Sequence, residues 1–482
     1  MSHPPRLSRA APFVCFASLL FSATLRAQAP PTASQPWPIP DGAGARALSE
    51  GEAREPVSRE RYDLPALIDL AQRNNPDTRV AWEAAREAAE RVGIVKSSYL
   101  PQLSLQAVGG REHTPLPAPK NLVPEGYFVS DSRELIPALT IKWLLFDFGQ
   151  RDAKLQAARS DLFVANVSFT GVHQKLAFTV TQAYFSLGAT QGRLRAARQA
   201  LDTALVSQDA AVAKRANGLA TIVAVAQAER QSAQARYNLT QAQGAQATAL
   251  SELIAALGVP ADTQLEVVDS SEMALPSEPA QQVSVAIRTA LTHRPDVIAA
   301  LGTIDTAEAS LRAERRSYYP VIEMGAHAFQ NMGSVSSDGK PYSSVNKPGA
   351  NILFSFSVPL FDGGERASRV AMAQAKVRQA EARLSSLRDE AANQVVKAHN
   401  DLVTSLAAYQ AATAVAQASS VSYDAALRSF KQGLGTYTDL AAEESAVAQS
   451  QAQLEDARSA AHRAAAGLAF AMGTLQSGGA DE

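Results

Sequence analysis

The sequence predicts a mixed α and β membrane protein, built from a duplicated unit of long coiled-coil helices with two β-strand pairs in all. Three observations predict it: motifs that recur at a constant spacing, two long regions without proline, and four segments in which apolar and polar residues alternate. Apolar residues make up 46% of the 482 residues, as in ordered proteins. The formal net charge of -2 argues against a nucleic-acid partner, which would favour a basic chain.

Residues 1–29 have the pattern of a cleaved signal peptide, with arginines before an apolar run and small residues after it. The run over residues 10–23 is shorter than the roughly 20 residues that span a bilayer as a helix. The alternative interpretation is an ordinary buried helix. Cys15, the only cysteine, lies inside the run after bulky Val14, so we expect neither a lipid anchor nor a disulfide framework. Residues 30–61 read as a Pro/Ala-rich linker.

The remainder of the chain repeats one unit, over residues 62–260 and 281–475, with a linker at 261–280 and a tail at 476–482. Early motifs recur 219 residues apart and later motifs recur 215 residues apart, so a slip of four residues falls between Pro101 and Phe146. The matching pairs are Asn75-Pro76 with Arg294-Pro295, Leu100-Pro101 with Tyr319-Pro320, Asp147 with Asp362, Asn217-Gly218-Leu219 with Gln432-Gly433-Leu434, and Leu257-Gly258 with Met472-Gly473.

Two regions, 150–257 and 365–472, are predicted to be long helices because both lack proline and carry a coiled-coil pattern. Apolar residues step by three and four in both halves. The first seam is Leu155, Ala158, Leu162, Ala165, Phe169, Val172 and Leu176, and the second is Val370, Ala373, Val377, Ala380, Leu384, Leu387 and Ala391. Each region is interrupted once by Gly-Leu. Several short helices joined by bends are the alternative, which Gly171, Gly188 and Gly192 favour.

Four segments, 102–113, 135–146, 320–331 and 350–361, are predicted to be β-strands of the length that crosses a membrane at a tilt. In the last of them, Ile352, Phe354 and Phe356 share one face. A small soluble sheet with one buried face is the alternative. If the strands cross a membrane, four are too few to enclose a pore, so several copies must share one barrel.

In their order and duplication, these motifs resemble the TolC-type outer-membrane efflux channel family, the outer membrane factors of tripartite efflux systems. The resemblance covers residues 62–475. It implies a homotrimer in the outer membrane of a Gram-negative bacterium, with a twelve-stranded β-barrel in the lipid and an α-helical tunnel in the periplasm. The channel would be a passive exit duct for drugs or other small molecules. A periplasmic adapter would couple it to an inner-membrane pump of the resistance-nodulation-division type.

The resemblance also implies three groups of functional residues. Helical tips at Gly218, Leu219, Gly433 and Leu434 would bind the adapter. Asp439 and Phe430 would lie at the periplasmic aperture. The turns from barrel to tunnel would be Phe146, Asp147 and Gly149 in the first half and Phe361, Asp362 and Gly363 in the second, with Asp152 as a carboxylate at a helix start.

This chain departs from the family pattern at the aperture. Phe430 stands where the family's representative has a tyrosine, Gly435 where it has an arginine, and Ala442 where it has a second aspartate. Gly435 puts the usual basic latch in doubt, and Glu443 and Glu444 are candidates to compensate for the missing second aspartate.

Three alternatives to an efflux channel stay open: the outer-membrane channel of a type I protein secretion system, a periplasmic adapter, and a periplasmic coiled-coil scaffold. An enzyme is not expected, because the sequence has neither a phosphate-binding glycine loop nor a Gly-x-Ser-x-Gly elbow. The histidines are far apart without ligand spacing, so no metal site or other cofactor is expected.

Overall fold

The computed structural model describes residues 61–270, 273–276 and 282–475, all within the unit Glu55–Glu482. The expected signal peptide at 1–29, the expected tail at 476–482, and the expected linker at 30–61 except its last residue lie outside the described residues.

Each half of the chain has the same order of elements: two short helices, two antiparallel strands and a long helical hairpin. The first half consists of β1 (Arg61–Tyr62), α1 (Leu64–Asn74), α2 (Pro76–Ser97), β2 (Gln102–Pro117), β3 (Tyr127–Phe146), α3 (Gln150–Ala216) and α4 (Ile222–Leu257). After β4 (Glu266–Val267), the second half consists of α5 (Val283–His293), α6 (Pro295–Arg316), β5 (Val321–Ser337), β6 (Ser343–Ser357), α7 (Glu365–Gln432) and α8 (Tyr437–Ala471). The segment expected as an inter-repeat linker therefore holds β4, which pairs in parallel with β1.

The four-residue slip in the repeat has a structural cause in the loops between the paired strands. Residues 118–126 connect β2 to β3, whereas residues 338–342 connect β5 to β6, so the first loop is four residues longer. The strands on either side correspond to one another, and the slip leaves the pairing register intact.

The four long strands form one antiparallel sheet in the order β2-β3-β5-β6, with one apolar and one polar face. Paired residues on the apolar face include the row Leu105, Leu139, Ala328 and Ala350. The adjacent row on the polar face is Ser104, Thr140, His327 and Asn351, in which Thr140 Oγ1 lies 3.2 Å from His327 Nδ1. The apolar face is open in one chain: Leu105 is 78% exposed and Phe354 is 69% exposed.

The strands are longer than expected at the ends away from the helices. They contain 16, 20, 17 and 15 residues, because backbone pairing continues where apolar alternation stops. At that point Arg111 and Arg133 replace apolar residues on the same face. At its other end β6 stops at Ser357, short of the expected 361, and Pro359, which has no N–H to donate, follows.

The long helical regions are uninterrupted except at the tips. α3 has 67 residues and α7 has 68, so each is about 100 Å long at 1.5 Å per residue. The three glycines that favoured several short helices lie inside α3 at close contacts. A Cβ on Gly188 would lie 1.9 Å from Ser270 Oγ, and one on Gly192 would lie 2.5 Å from the Glu455 side chain. These glycines permit close approach of neighbouring segments, and the alternative of short helices is wrong.

Alanine is frequent among the buried apolar residues, as the coiled-coil seams predict. Leu155, Ala158 and Leu176 are buried in α3, and Ala373, Leu384 and Ala391 are buried in α7. Between the two halves, α3 packs against both α6 and α8. Within residues 61–270, 273–276 and 282–475, none of the helices combines the length and apolar content needed to cross a membrane.

Candidate functional site

The first helical tip is a tight turn that ends α3 and begins α4. Gly218 takes a left-handed φ of 73°, which glycine adopts without strain. The Leu219 N–H donates to the Lys214 carbonyl at 2.8 Å, and the Gly218 N–H donates to the Arg215 carbonyl at 2.9 Å, a Schellman arrangement. The Thr221 side chain then accepts from the Ala224 N–H and caps α4.

The second tip repeats this construction between α7 and α8. Gly433 has a φ of 80°, and the Leu434 N–H donates to the Ser429 carbonyl at 2.9 Å. Thr436 caps α8 and forms a reciprocal capping box with Asp439. Gly-Leu followed by a capping threonine is thus a complete local signal for a helix reversal.

Both tips present a leucine to solvent. Leu219 is 77% exposed and Leu434 is 81% exposed in one chain. A Cβ on Gly218 or Gly433 would meet no atom within 4 Å, so the surrounding space is open. Each tip therefore exposes one large apolar side chain beside its glycine.

A small cluster joins the two hairpins next to the tips. Phe430 is only 5% exposed and packs edge-on against Tyr437. The Lys214 ammonium, from the other hairpin, lies 4.0 Å from the centroid of the Phe430 ring and donates to the Phe430 carbonyl. Within one chain, Phe430 is therefore a packing residue, and Lys214 supplies a basic contact between the hairpins.

Asp439 is exposed, and its carboxylate works as a helix cap. It accepts from the Thr436 hydroxyl at 2.7 Å and from the Thr436 N–H at 3.2 Å. These hydrogen bonds hold the pKa of Asp439 below its ordinary value. Its expected contribution to the aperture stays a prediction, since one chain contains no pore.

Glu444 is buried between α8 and α3, whereas Glu443 is partly exposed. The Glu444 carboxyl group forms a hydrogen bond with the Ser207 hydroxyl on α3, and the second oxygen of this carboxyl group has no partner among the described residues. Burial raises the pKa of Glu444. The phenols of Tyr437 and Tyr423 lie close to this carboxyl group, and burial, with a smaller effect of Glu444, raises the pKa of Tyr437 to about 12.

The first strand-to-helix turn is held by Asp147, which caps α3. Its carboxylate accepts from the Gly149 N–H at 3.2 Å and the Arg151 N–H at 2.7 Å. Gly149 has a left-handed φ of 86°. Asp152 lies in the first turn, but the capping carboxylate is that of Asp147.

Arg151 ties this turn to its surroundings. Its guanidinium donates to Asp147 at 3.2 Å and to the carbonyls of Ser98, Leu144 and Leu145 at 2.7 to 3.1 Å. It also lies 4.6 Å from the centroid of the Tyr99 ring. One side chain thus joins the ends of α2 and β3 to the start of α3.

The second turn repeats the joint with fewer contacts. Asp362 accepts from the Gly364 N–H at 3.1 Å and from Arg366 Nε at 2.5 Å. Arg366 donates to the Pro359 carbonyl and lies 5.5 Å from the Tyr318 ring. The hydrogen bonds from Arg366 hold the pKa of Asp362 below its ordinary value.

The other turn residues differ between the halves. Phe148 and Gly363 correspond, and both have positive φ values, of 52° and 66°. Phe146 packs edge-on against Phe148, whereas Phe361 is 89% exposed. Sequence reasoning singled out the aspartates and glycines but missed Arg151 and Arg366, although their separation of 215 residues is the repeat offset.

In the part of the chain that the structure describes, no three His, Cys, Asp or Glu side chains form a group that could hold a metal ion.

A family model described as outer membrane efflux protein matches residues 67–259 and 286–474. The two matched segments coincide with the two repeats and together cover more than half of the chain.

Curated relatives are similar at low identity over most of their length. Protein CyaE of Bordetella pertussis is 27% identical over 383 residues, which cover 77% of each chain. Outer membrane protein OprJ of Pseudomonas aeruginosa is 25% identical over 380 residues, which cover 74% of each chain.

Solved structures share the fold. Crystal structures of CusC, described in connection with transmembrane channel formation, match with a TM-score of 0.70 at 20% identity, over 85% of this chain and 92% of that one. The open state of the Neisseria gonorrhoeae MtrE outer membrane channel matches with a TM-score of 0.66 at 21% identity, over 86% of this chain and 89% of that one.

Replacing Arg151 should destabilise the protein strongly. Arg151→Met leaves the buried Asp147 carboxylate without its cation and removes the guanidinium donor from three carbonyls, so we expect a loss of about 3–5 kcal/mol. Thermal unfolding of the purified protein, followed by circular dichroism, measures this loss. Arg151→Lys should rescue little, because an ammonium cannot reproduce the fork of the guanidinium.

The matched control is Arg91→Ala, which removes an exposed ion pair with Glu87. We expect a change within about 0.5 kcal/mol. Equal effects of the two substitutions would contradict the joint assigned to Arg151.

The helical packing next to the tips should weaken as pH rises. Because burial raises the pKa of Glu444, the packed state holds its proton more tightly than the unfolded state. The stabilisation is complete below the ordinary glutamate pKa of about 4.3 and is lost as pH rises through the raised value. As pH rises above the ordinary glutamate pKa, the melting temperature of the wild-type protein should therefore fall more steeply than that of Glu444→Gln.

Glu443→Gln is the control, since Glu443 is a partly exposed neighbour on the same helix. Its melting temperature should follow the wild-type pH profile. A wild-type profile parallel to that of Glu444→Gln would refute the role given to the buried carboxyl group.

Proposed function

Because the chain belongs to the outer membrane efflux protein family, we propose that it is the trimeric outer-membrane channel of a tripartite efflux system. Drugs or other small molecules pass through it passively to the exterior. A periplasmic adapter couples it to an inner-membrane pump of the resistance-nodulation-division type, and the pump supplies the energy.

The observation that carries the proposal is a set of contacts between the two repeats. Among the described residues it forms once, although the repeat that makes it occurs twice. The first strand pair meets the second through β3 and β5. The equivalent contact between β6 and β2 has no counterpart in the described chain, where these strands are the two edges of the sheet. A second copy supplies it, because β2 of the neighbour corresponds to β5.

The helices support the same arrangement. α3 packs against α6 and α8, whereas the equivalent packing of α7 against α2 and α4 is not substantial among the described residues. The buried pair of Ser207 and Glu444 has a duplicate, Ser422 and Glu229, 215 residues away in each case. Both duplicates are exposed in one chain. In the trimer, α4 of one copy packs on α7 of the next and brings this second pair together.

Three copies bring twelve strands together and leave no edge unpaired, as a barrel in lipid requires. The apolar face then lies against lipid, and the polar face with Thr140 and His327 lines the channel. The sheet ends that lead into α3 and α7 face the periplasm. Asp147 with Gly149 and Asp362 with Gly363 redirect the chain from barrel to tunnel, and Phe146 and Phe361 lie at the membrane boundary.

The helical tips are the surface for the adapter. Gly218 and Gly433 form the reversals, and Leu219 and Leu434 offer the adapter an apolar contact. The aperture lies beside the tips, and Asp439 of each copy contributes a carboxylate to it. Phe430 packs in the cluster that joins the two hairpins at this end. In place of the family's basic latch, we assign the closing contact between the hairpins to Lys214.

The remaining part of the proposal concerns export. Residues 1–29 direct the chain across the inner membrane and are removed. Cys15 is removed with them, because it lies within the apolar run and not behind a small residue. The mature protein is then free of thiols, which simplifies the following test.

The pairing between copies can be tested with engineered cysteines. Val108 corresponds to His327 and Ser355 corresponds to Thr140 by the repeat offsets, and Thr140 and His327 are direct partners. Val108 of one copy should therefore lie opposite Ser355 of the next. Oxidation of the Val108→Cys/Ser355→Cys variant in outer-membrane fractions should give a ladder of dimers and trimers that ends at three.

The control is Val108→Cys/Asn351→Cys, in which the second cysteine is on the same face and four residues out of register, about 13 Å along the strand. It should form few cross-links. A soluble monomer, or equal cross-linking of both variants, would contradict the proposed barrel.

The tips can be tested separately. Leu219→Asp/Leu434→Asp should abolish efflux, seen as drug sensitivity equal to that of a deletion strain, because charged groups replace the apolar contact with the adapter. Trimer abundance should stay normal, since both side chains are exposed.

Leu122→Asp is the matched control, an equally exposed leucine (76%) in the loop between β2 and β3. It should leave resistance unchanged. Full resistance in the Leu219→Asp/Leu434→Asp variant would contradict the proposed role of the tips in adapter binding.

A further inference from the structure

Two arginines lie directly opposite each other on the apolar face of the sheet. Arg111 on β2 pairs with Arg133 on β3, and both side chains are exposed. Like charges in directly opposed positions destabilise a strand pair unless something neutralises them. Arg111 forms no hydrogen bond or ion pair with any residue that the structure describes, and the Arg133 guanidinium lies 4.5 Å from the centroid of the Tyr342 ring.

The rest of this row also offers donors and no carboxylate. Arg133 pairs with Ser334 on β5, which pairs with Ser344 on β6. Across the four strands, this row of paired residues thus presents two guanidinium groups and two hydroxyl groups side by side. The next row outward begins with His113 and Asp131, which are already bonded to each other at 2.6 Å.

The row lies at the edge of the apolar band. On β3 the band runs from Leu145 to Leu135, and Arg133 follows on the same face. Ten residues span about 33 Å along a strand, or about 25 Å along the membrane normal at the tilt of such barrels. This height matches the apolar band of outer-membrane barrels. The arginines therefore lie at the head-group level, on the side of the loops and away from the helices.

We propose that Arg111 and Arg133 bind a phosphate group of the phosphorylated glycolipid in the outer leaflet of the outer membrane. Guanidinium groups bind phosphate oxygens in pairs of parallel hydrogen bonds, and a phosphate between the two arginines removes their repulsion. Tyr342 lies beside them, where aromatic rings meet the membrane interface. This inference rests on the proposed function, because it requires the apolar face to lie against lipid.

The test measures how lipid A stabilises the detergent-purified oligomer, as the temperature at which the oligomer band disappears in gel electrophoresis. Diphosphorylated lipid A should raise this temperature for the wild-type protein. In Arg111→Gln/Arg133→Gln the concentration for half the effect should rise about tenfold or more, as expected for the loss of charge-assisted hydrogen bonds. Arg111→Lys/Arg133→Lys should lie between them, since it keeps the charges and loses the forks.

Lys142→Gln/Lys347→Gln is the matched control, because it removes two positive charges from the polar face of the same sheet. It should respond to lipid A as the wild-type protein does. Equal stabilisation by dephosphorylated lipid A or by inorganic phosphate, or an unchanged response of the arginine variant, would overturn the inference. Failure of the proposed function would look different: the wild-type protein would then give no oligomer band with or without lipid.

Discussion

The unpaired edges of the four-stranded sheet are the constraint on which the rest of the structure depends. Every backbone N–H and C=O group in lipid needs a partner within the protein, and an open edge leaves a row of them unsatisfied. β2 and β6 are both long, so the edge cannot be dismissed as a frayed end. The contact of β3 with β5 already solves this problem once inside the chain, and the same contact between β6 of one copy and β2 of the next would solve it for the two edges.

The orientation of the helices follows that of the strands, because Asp147 and Arg151 join the end of β3 to the start of α3. Arg151 contacts the last residues of α2 and β3 as well as the start of α3. A strand that is fixed in a barrel therefore fixes the direction of the helix that follows it. The second joint at Asp362 and Arg366 has fewer partners and greater exposure, so the first joint is the stiffer of the two connections.

Much of the fold could be predicted because its local signals are strong and occur twice. The Gly-Leu tips, the long helices and the sheet faces follow from the repeat and from apolar periodicity. The extra strand length could not be predicted from alternation, since apolar residues are required only where the face meets an apolar surface. The burial of Phe430 and Glu444 could not be predicted from the sequence either. It depends on packing between the hairpins, in which Phe430 contacts Lys214 and Glu444 contacts Ser207, and each pair is more than 200 positions apart in the sequence.

Two carboxyl groups near the tips have pKa values shifted in opposite directions, and this decides which of them changes charge first as pH falls. The Thr436 cap holds the pKa of the exposed Asp439 low, so its charge is present throughout the physiological range. Burial raises the pKa of Glu444, so its protonation changes the packing of α8 on α3. A falling pH therefore protonates Glu444, at the contact between the hairpins, before it protonates Asp439. Because α3 and α8 belong to different repeats, the Ser207–Glu444 contact joins the two hairpins, as the Lys214–Phe430 contact does, whereas each reversal is held by hydrogen bonds within its own tip.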